Sequence, residues 1–234
     1  MVRNALAGAG HHRHHHDVTQ PTLFLTVGLP GVGKTTAARR LEVEDSALRL
    51  NKDEWMKVLY WREDPVPASD VIEGRRIQIG LHALQLGVNV VIGYGLWSKD
   101  ERSALRQAAM DVDAASVVCS FDLPREEQRR RLDRRLAEAP QDTWPISDEE
   151  LDRWAGQFDV PTPAELDGSE PIGDPPATFT SWQDWIADRW PAALHARSEV
   201  RFSGPTLTRP ATRLAATAPH RVAGRLTGQV PEAM

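Results

Sequence analysis

Thr22-Leu-Phe-Leu-Thr-Val-Gly-Leu-Pro-Gly-Val-Gly-Lys-Thr35 joins a short apolar run to a glycine-rich turn and then to a helical pattern. The run Thr22 to Val27 is nearly continuous in apolar residues, as expected of a strand covered on both faces in a parallel sheet. The turn Gly28 to Thr35 fits the Walker A spacing at every fixed position, and it lies between a strand and a helix as that motif requires. Gly28, Gly31 and Gly33 allow backbone N–H groups to turn inward around a phosphate, with Leu29, Pro30 and Val32 completing the loop. The helix that begins near Lys34 adds its positive N-terminal end, where Thr36 also sits. In such a cradle Lys34 reaches the terminal phosphate oxygens and the Thr35 hydroxyl ligates Mg²⁺.

Further apolar runs follow at Leu48 to Leu50, Val88 to Ile92 and Ala115 to Phe121, for four strands in all. Helical patterns separate or follow them at Lys34 to Val43, Lys52 to Trp61, Ser69 to Leu86, Lys99 to Met110 and Pro124 to Glu138. Ser98 with Glu101, and Ser147 with Glu150, have the spacing of capping boxes, which start helices there. Alternating strands and helices predict an α/β fold with helices on both faces of a parallel sheet and the ligand site at the strands' carboxyl ends. Beyond Ala139 proline-rich loops surround two helical pieces. In the second, Trp182, Trp185 and Trp190 recur at helical intervals before Pro191 stops the helix; packing on the main body is expected, with a substrate-stacking role as the alternative.

The chain has 234 residues, 41% of them hydrophobic, enough for one sizeable core. Its one cysteine, Cys119, lies in an apolar run and is expected to be a buried strand residue. Residues 1–20 carry the tract His11-His-Arg-His-His-His16 and are expected to be disordered, residues 21–196 form the folded domain, and residues 197–234 form a disordered basic tail. No stretch reaches the ~20 apolar residues of a membrane helix, and the N-terminus lacks a signal peptide's apolar core, so a cytoplasmic protein is expected. The net charge is -5, and six arginines against two glutamates from Arg197 onward leave about -9 on the preceding body. That balance disfavours a dedicated nucleic-acid binder.

With the P-loop, four other segments carry a resemblance: Leu50-Asn-Lys-Asp-Glu-Trp55, Val90-Val-Ile-Gly-Tyr-Gly-Leu-Trp-Ser98, Arg129-Arg-Arg-Leu-Asp-Arg-Arg135, and Trp144-Pro-Ile-Ser147 with its following helix. From about Thr22 to Leu166 the chain resembles the P-loop kinases related to zeta toxin, chloramphenicol phosphotransferase and polynucleotide 5′-kinase, usually labelled AAA-family ATPases. The resemblance implies the three-layer P-loop NTPase fold with a mostly parallel sheet, a helical lid and extra C-terminal helices. It also implies ATP as the nucleotide, since the Walker A turn itself recognises phosphates and not a base.

A kinase needs a carboxylate to orient the acceptor hydroxyl and take its proton. Asp53, just beyond the second strand, matches the proposed base of the similar kinases; the alternative is a helix N-cap, and Glu54 is a weaker candidate. Arg131 and Arg135 match the lid arginines, and their i,i+4 spacing puts both on one helix face. Arg125, Arg129, Arg130 and Arg134 are expected to face solvent or carboxylates. Polynucleotide kinases of the group carry an arginine where this chain has Met56, a departure that favours a small, less anionic acceptor. Many relatives carry an acid where this chain has Gly93, which weakens the magnesium argument. Trp55, Tyr60, Trp61 and Trp97 are candidates for an aromatic wall, with core packing the preferred reading of each. The leading expectation is an ATP-dependent kinase of a small hydroxylated molecule. An ATP-binding or hydrolysing protein without such an acceptor, and a polynucleotide 5′-kinase, are the alternatives.

Overall fold

The computed structural model describes residues 20–60, 66–93, 95–141 and 143–194. The His-rich segment, Trp61 and the tail from 195 onward lie outside the described residues. Strand β1 (Thr22–Val27) is followed by helix α1 (Lys34–Glu44), β2 (Leu48–Leu50), α2 (Lys52–Tyr60) and α3 (Val66–Gln85). Then come β3 (Val90–Ile92), α4 (Lys99–Met110), β4 (Ala115–Ser120), α5 (Arg125–Glu138), α6 (Asp148–Gln157), α7 (Pro163–Leu166) and α8 (Trp182–Arg189). The strands form one sheet in the order β2-β3-β1-β4, parallel throughout. The chain leaves β1 toward β2 and β3 on one side and reaches β4 on the other. The topology therefore reverses at the carboxyl end of β1, where open α/β sheets place their ligand crevice.

Period-two alternation assigns the sheet's two faces. Leu23, Leu25 and Val27 of β1, with Val90 and Ile92 of β3, join Ile77, Leu84, Leu105 and Ile186 in one core under α3, α4 and α8. Phe24 and Val91 point the other way, against Ala38 and Leu41 of α1. Helices thus cover both faces, giving three layers. The tryptophans of the second helical piece pack on the body as expected: Trp182, Trp185 and Trp190 are buried in edge-to-face contacts with centroids 5.8 and 5.4 Å apart. Cys119 is only partly covered, against the α1 cluster, and burial followed by the nearby Asp45 charge pushes its thiol up to about 11.

Several boundaries differ from the sequence reading for identifiable reasons. β3 begins at Val90, since the Val88 N–H is spent on the Ala83 carbonyl (2.9 Å) in closing α3. α3 begins at Val66, three residues early, and Pro67 is tolerated because first-turn N–H groups have no helical partner anyway. Both expected capping boxes form, at Ser98/Glu101 and Ser147/Glu150. Among the described residues no helix is long and apolar enough to cross a membrane.

Candidate active site

A cavity of about 1040 Å³ opens at the carboxyl end of the sheet. That is at the top of the roughly 300–1,000 Å³ range of single small-ligand sites. Its floor is the P-loop: Pro30, Gly31, Gly33, Lys34, Thr35 and Thr36 line it. Gly28, Leu29 and Val32 do not line it, and Val32 is buried. At Gly28 the backbone has φ 144°, and an added Cβ would lie 2.5 Å from the Phe121 carbonyl oxygen, so only glycine lets the loop pass β4. Gly33, at φ 107°, turns the chain into the N-terminus of α1.

Lys34 donates to the carbonyls of Gly28 and Leu29, both at 2.8 Å. Its ammonium is held down at about 8, chiefly by desolvation; the Asp53 carboxylate opposes that shift and Arg135 adds to it. Asp53, at the start of α2, therefore lies within electrostatic reach of Lys34, and both line the cavity. The helix-capping role considered for Asp53 falls to Asn51, whose Oδ1 accepts from the Asp53 N–H at 3.0 Å. Glu54 turns away to Arg49 (2.8 Å).

Helix α5 lies over the loop. Gln128 donates to the Pro30 carbonyl (2.7 Å), and Leu132 Cγ stands 3.0 Å from where a Cβ on Gly31 would be. This seats Arg131 and Arg135 on the cavity wall, with Arg131 Nη1 3.9 Å from the equivalent Cβ position of Gly33. The Arg131 Nε is held by Glu127 at 2.7 Å, a bond that also keeps the Glu127 carboxyl below its ordinary range. Arg125, Arg129 and Arg130 pair with carboxylates as expected. Arg134 is exposed and pairs with Glu138 at 3.9 Å as expected, and it lines the cavity as well.

The opposite wall comes from residues the motifs did not reveal. Lys52, Glu73, Glu101 and Arg189 line the cavity there, and Trp154 of α6 lines it beside Trp97. Glu73 takes Lys52 Nζ at 2.9 Å and the Trp190 indole N–H at 2.9 Å. Glu101 is hidden in a capping box: one oxygen accepts from the Ser98 N–H (3.3 Å) while the other accepts from Arg189 (2.9 Å). Trp97 lines the cavity, contrary to the preferred core reading, and donates from Nε1 to the Gly28 carbonyl (3.2 Å). Trp55 is half exposed, with the Arg76 guanidinium 4.6 Å over its ring, and Tyr60 is exposed; neither lines the cavity. Met56 is buried in the core. Gly93 lines the cavity, and a Cβ there would make only ordinary contacts, the nearest 3.6 Å from the Leu50 carbonyl oxygen.

A glycine-turned loop at the topological reversal, with a desolvated lysine and an arginine-bearing helix above it, defines a P-loop protein with the architecture of the P-loop kinases. Residues 23–161 match the model of the family described as an AAA domain, more than half of the chain, and the chain belongs to that family. Two solved structures share the fold. A chain of the Pnkp1/Rnl/Hen1 RNA repair complex is 23% identical with a TM-score of 0.53, covering 70% of this chain and 50% of that one. A protein from Chloroflexus aurantiacus j-10-fl assigned as a kinase is 16% identical with a TM-score of 0.52, covering 73% and 98%. This chain thus spans about half the length of the RNA-repair chain it matches. No curated protein matches it.

Proposed function

We propose that this protein is an ATP-dependent phosphotransferase that moves the terminal phosphoryl group to a hydroxyl of a small molecule. What supports the reading is one cavity lined by Lys34, Asp53, Arg131 and Arg135, with room beyond the P-loop for a second ligand. As the triphosphate enters, the Lys34 ammonium exchanges the carbonyls of Gly28 and Leu29 for β- and γ-phosphate oxygens, while the loop's N–H groups and the N-terminus of α1 hold the β-phosphate. Arg131 and Arg135 offset the charge that develops on the transferring group and exclude water from it. Asp53 orients the acceptor hydroxyl and takes its proton. The Thr35 hydroxyl, with phosphate oxygens and water, would hold Mg²⁺, which would supply neutralisation of the phosphate charge.

A second reading is favoured by Gly93, which leaves the acidic position empty: nucleotide hydrolysis without a small-molecule acceptor. The test is ADP release from ATP and Mg²⁺ with pooled alcohols, comparing wild type with Lys34→Ala and Asp53→Asn. Turnover raised by one pool and lost in both variants supports the kinase. Equal ADP release without acceptor, unaffected by Asp53→Asn, would establish the hydrolytic reading instead.

A further inference from the structure

The wall opposite the lid bears on what kind of acceptor the cavity takes. Its two cations are already committed to carboxylates. Lys52 Nζ stands 2.9 Å from Glu73 and 3.0 Å from the Ser69 hydroxyl. Arg189 reaches Asp70 at 3.0 Å, Glu101 at 2.9 Å and Glu73 at 3.8 Å. An anionic acceptor would have to displace these part-buried pairs, whereas the lid pairs of Arg131 with Glu127 (2.7 Å) and Arg134 with Glu138 (3.9 Å) are more exposed, and Arg135 lines the cavity beside them for the triphosphate. The cavity therefore has one end suited to a polyanion and one end that is not.

The groups on the second end still have hydrogen-bonding capacity. A carboxylate offers about four lone-pair sites and a guanidinium five N–H donors, so ion-paired side chains can bond hydroxyls, which donate and accept together. Beside them stands an aromatic surface. The Trp97 and Trp154 rings pack with centroids 5.7 Å apart and planes inclined at 45°, and both line the cavity. Trp97 is fixed through its indole N–H on Gly28 and through its carbonyl, which accepts from Arg102 at 3.2 Å and from the Asp159 N–H at 3.0 Å. A fixed indole face next to planar charged pairs suits a ring with one C–H face and a hydroxylated rim.

We propose that the acceptor is an uncharged polyhydroxylated ring, of the pyranose or cyclitol class without phosphate or carboxylate, lying against Trp97 with hydroxyls on Glu73, Glu101 and Arg189. The assignment rests on the kinase reading above. In the step it implies, a ring hydroxyl oxygen forms the new bond to the γ-phosphorus. The bond from that phosphorus to the β,γ-bridging oxygen breaks, ADP leaves with the electron pair, and the hydroxyl proton passes to Asp53.

The test measures ADP release from ATP and Mg²⁺ with four matched sets at equal concentration: neutral pyranoses and cyclitols, their carboxylated or phosphorylated counterparts, their amino counterparts, and 5′-hydroxyl oligonucleotides. Saturation-transfer NMR with ADP present reads ring C–H contact apart from turnover. The neutral set alone is expected to raise turnover and show ring C–H saturation. Glu101→Gln, which keeps the capping box, is expected to raise the acceptor KM about tenfold with the nucleotide Kd within about threefold of wild type, and Trp97→Leu to raise that KM at least as much. Turnover raised by the acidic, amino or oligonucleotide set and not by the neutral one would overturn the acceptor class and leave the kinase standing. An unchanged acceptor KM in both variants would overturn the assigned contacts. ADP release that no set accelerates would overturn this acceptor class, while the pooled-alcohol assay with Lys34→Ala and Asp53→Asn decides the kinase reading separately.

Discussion

The ion pairs on the two sides of the cavity differ in kind. Behind the wall, Arg102 of α4 and Glu165 of α7 are both 1% exposed and joined by two contacts of 2.5 and 3.2 Å, and Arg102 also donates to the carbonyls of Leu96 and Trp97. On the lid side, Arg125 of α5 meets Asp148 and Asp152 of α6, with side-chain exposures of 39%, 67% and 72%. Removing one partner of the first pair leaves a buried, uncompensated charge; the second is solvated and screened before and after. The wall is thus held to one geometry. Leu96 shows how firmly, since it keeps φ 45° beside the P-loop without being glycine. The lid takes its seat from Gln128 and Leu132 instead, so its exposed pairs can rearrange at little cost while the arginines stay over the loop.

The largest expected effect lies where the two sides meet. Asp53 is a wall residue electrostatically coupled to Lys34, so Asp53→Asn keeps the shape and removes the proton acceptor. We expect kcat to fall by about 10² to 10⁴ while ATP affinity changes less than about threefold. Single-turnover kinetics with a separate nucleotide titration would check this, and an unchanged kcat would remove Asp53 from the chemistry. Next in size is the buried pair. Glu165→Gln strands Arg102 and is expected to cost about 3–5 kcal/mol, whereas Arg102→Met with Glu165→Leu recovers most of that loss. Denaturant unfolding of the three proteins measures it. Equal losses in the single and double variants would mean that the carbonyl contacts of Arg102 matter more than its carboxylate.

This contrast also explains what could be read in advance. The strand β1, the P-loop and α1 are contiguous, and each follows from local rules: an apolar run, glycines where φ is positive, and a helix start. Met56 and Gly93 were legible because a motif set the frame in which they depart. The wall was not. Lys52, Glu73, Glu101 and Arg189 come from α2, α3, α4 and α8, and Arg189 finds Asp70 across 119 positions of sequence. In sequence each looks like a surface charge; the packing of α2 on α3 joins Lys52 to Glu73, and the docking of α8 on α4 brings Arg189 to Glu101. Trp97 misled for a related reason. Its spacing suited core packing, but its indole N–H is tied to a P-loop carbonyl, which turns the ring toward the cavity.

A smaller effect should appear in pH dependence. With Lys34 held at about 8 in the free protein, a bound polyphosphate favours the charged ammonium and raises that value, so binding above pH 8 takes up a proton. Linkage then makes affinity fall as pH rises, by roughly tenfold between pH 7 and 9, and leaves it insensitive to this group well below 8. Calorimetry in buffers of different ionisation enthalpy reads the uptake directly. Lys34→Met should bind weakly and without this slope; a slope that survives would assign the titration to another group.

The smallest effect sharpens the comparison best. Arg125→Ala removes its three contacts to Asp148 and Asp152 of α6 yet, because these groups are well exposed, should change stability by less than about 1 kcal/mol, and by less still in high salt. If the lid is seated by Gln128 and Leu132, this variant also keeps acceptor-dependent kcat within about twofold of wild type, whereas Gln128→Ala, which frees the Pro30 carbonyl, lowers it. Parallel unfolding and turnover measurements on the two variants separate the cases. A large loss of kcat in Arg125→Ala with unchanged stability would mean that the exposed pair sets the lid's position over the phosphates, and the distinction between a fixed wall and an adjustable lid would fall.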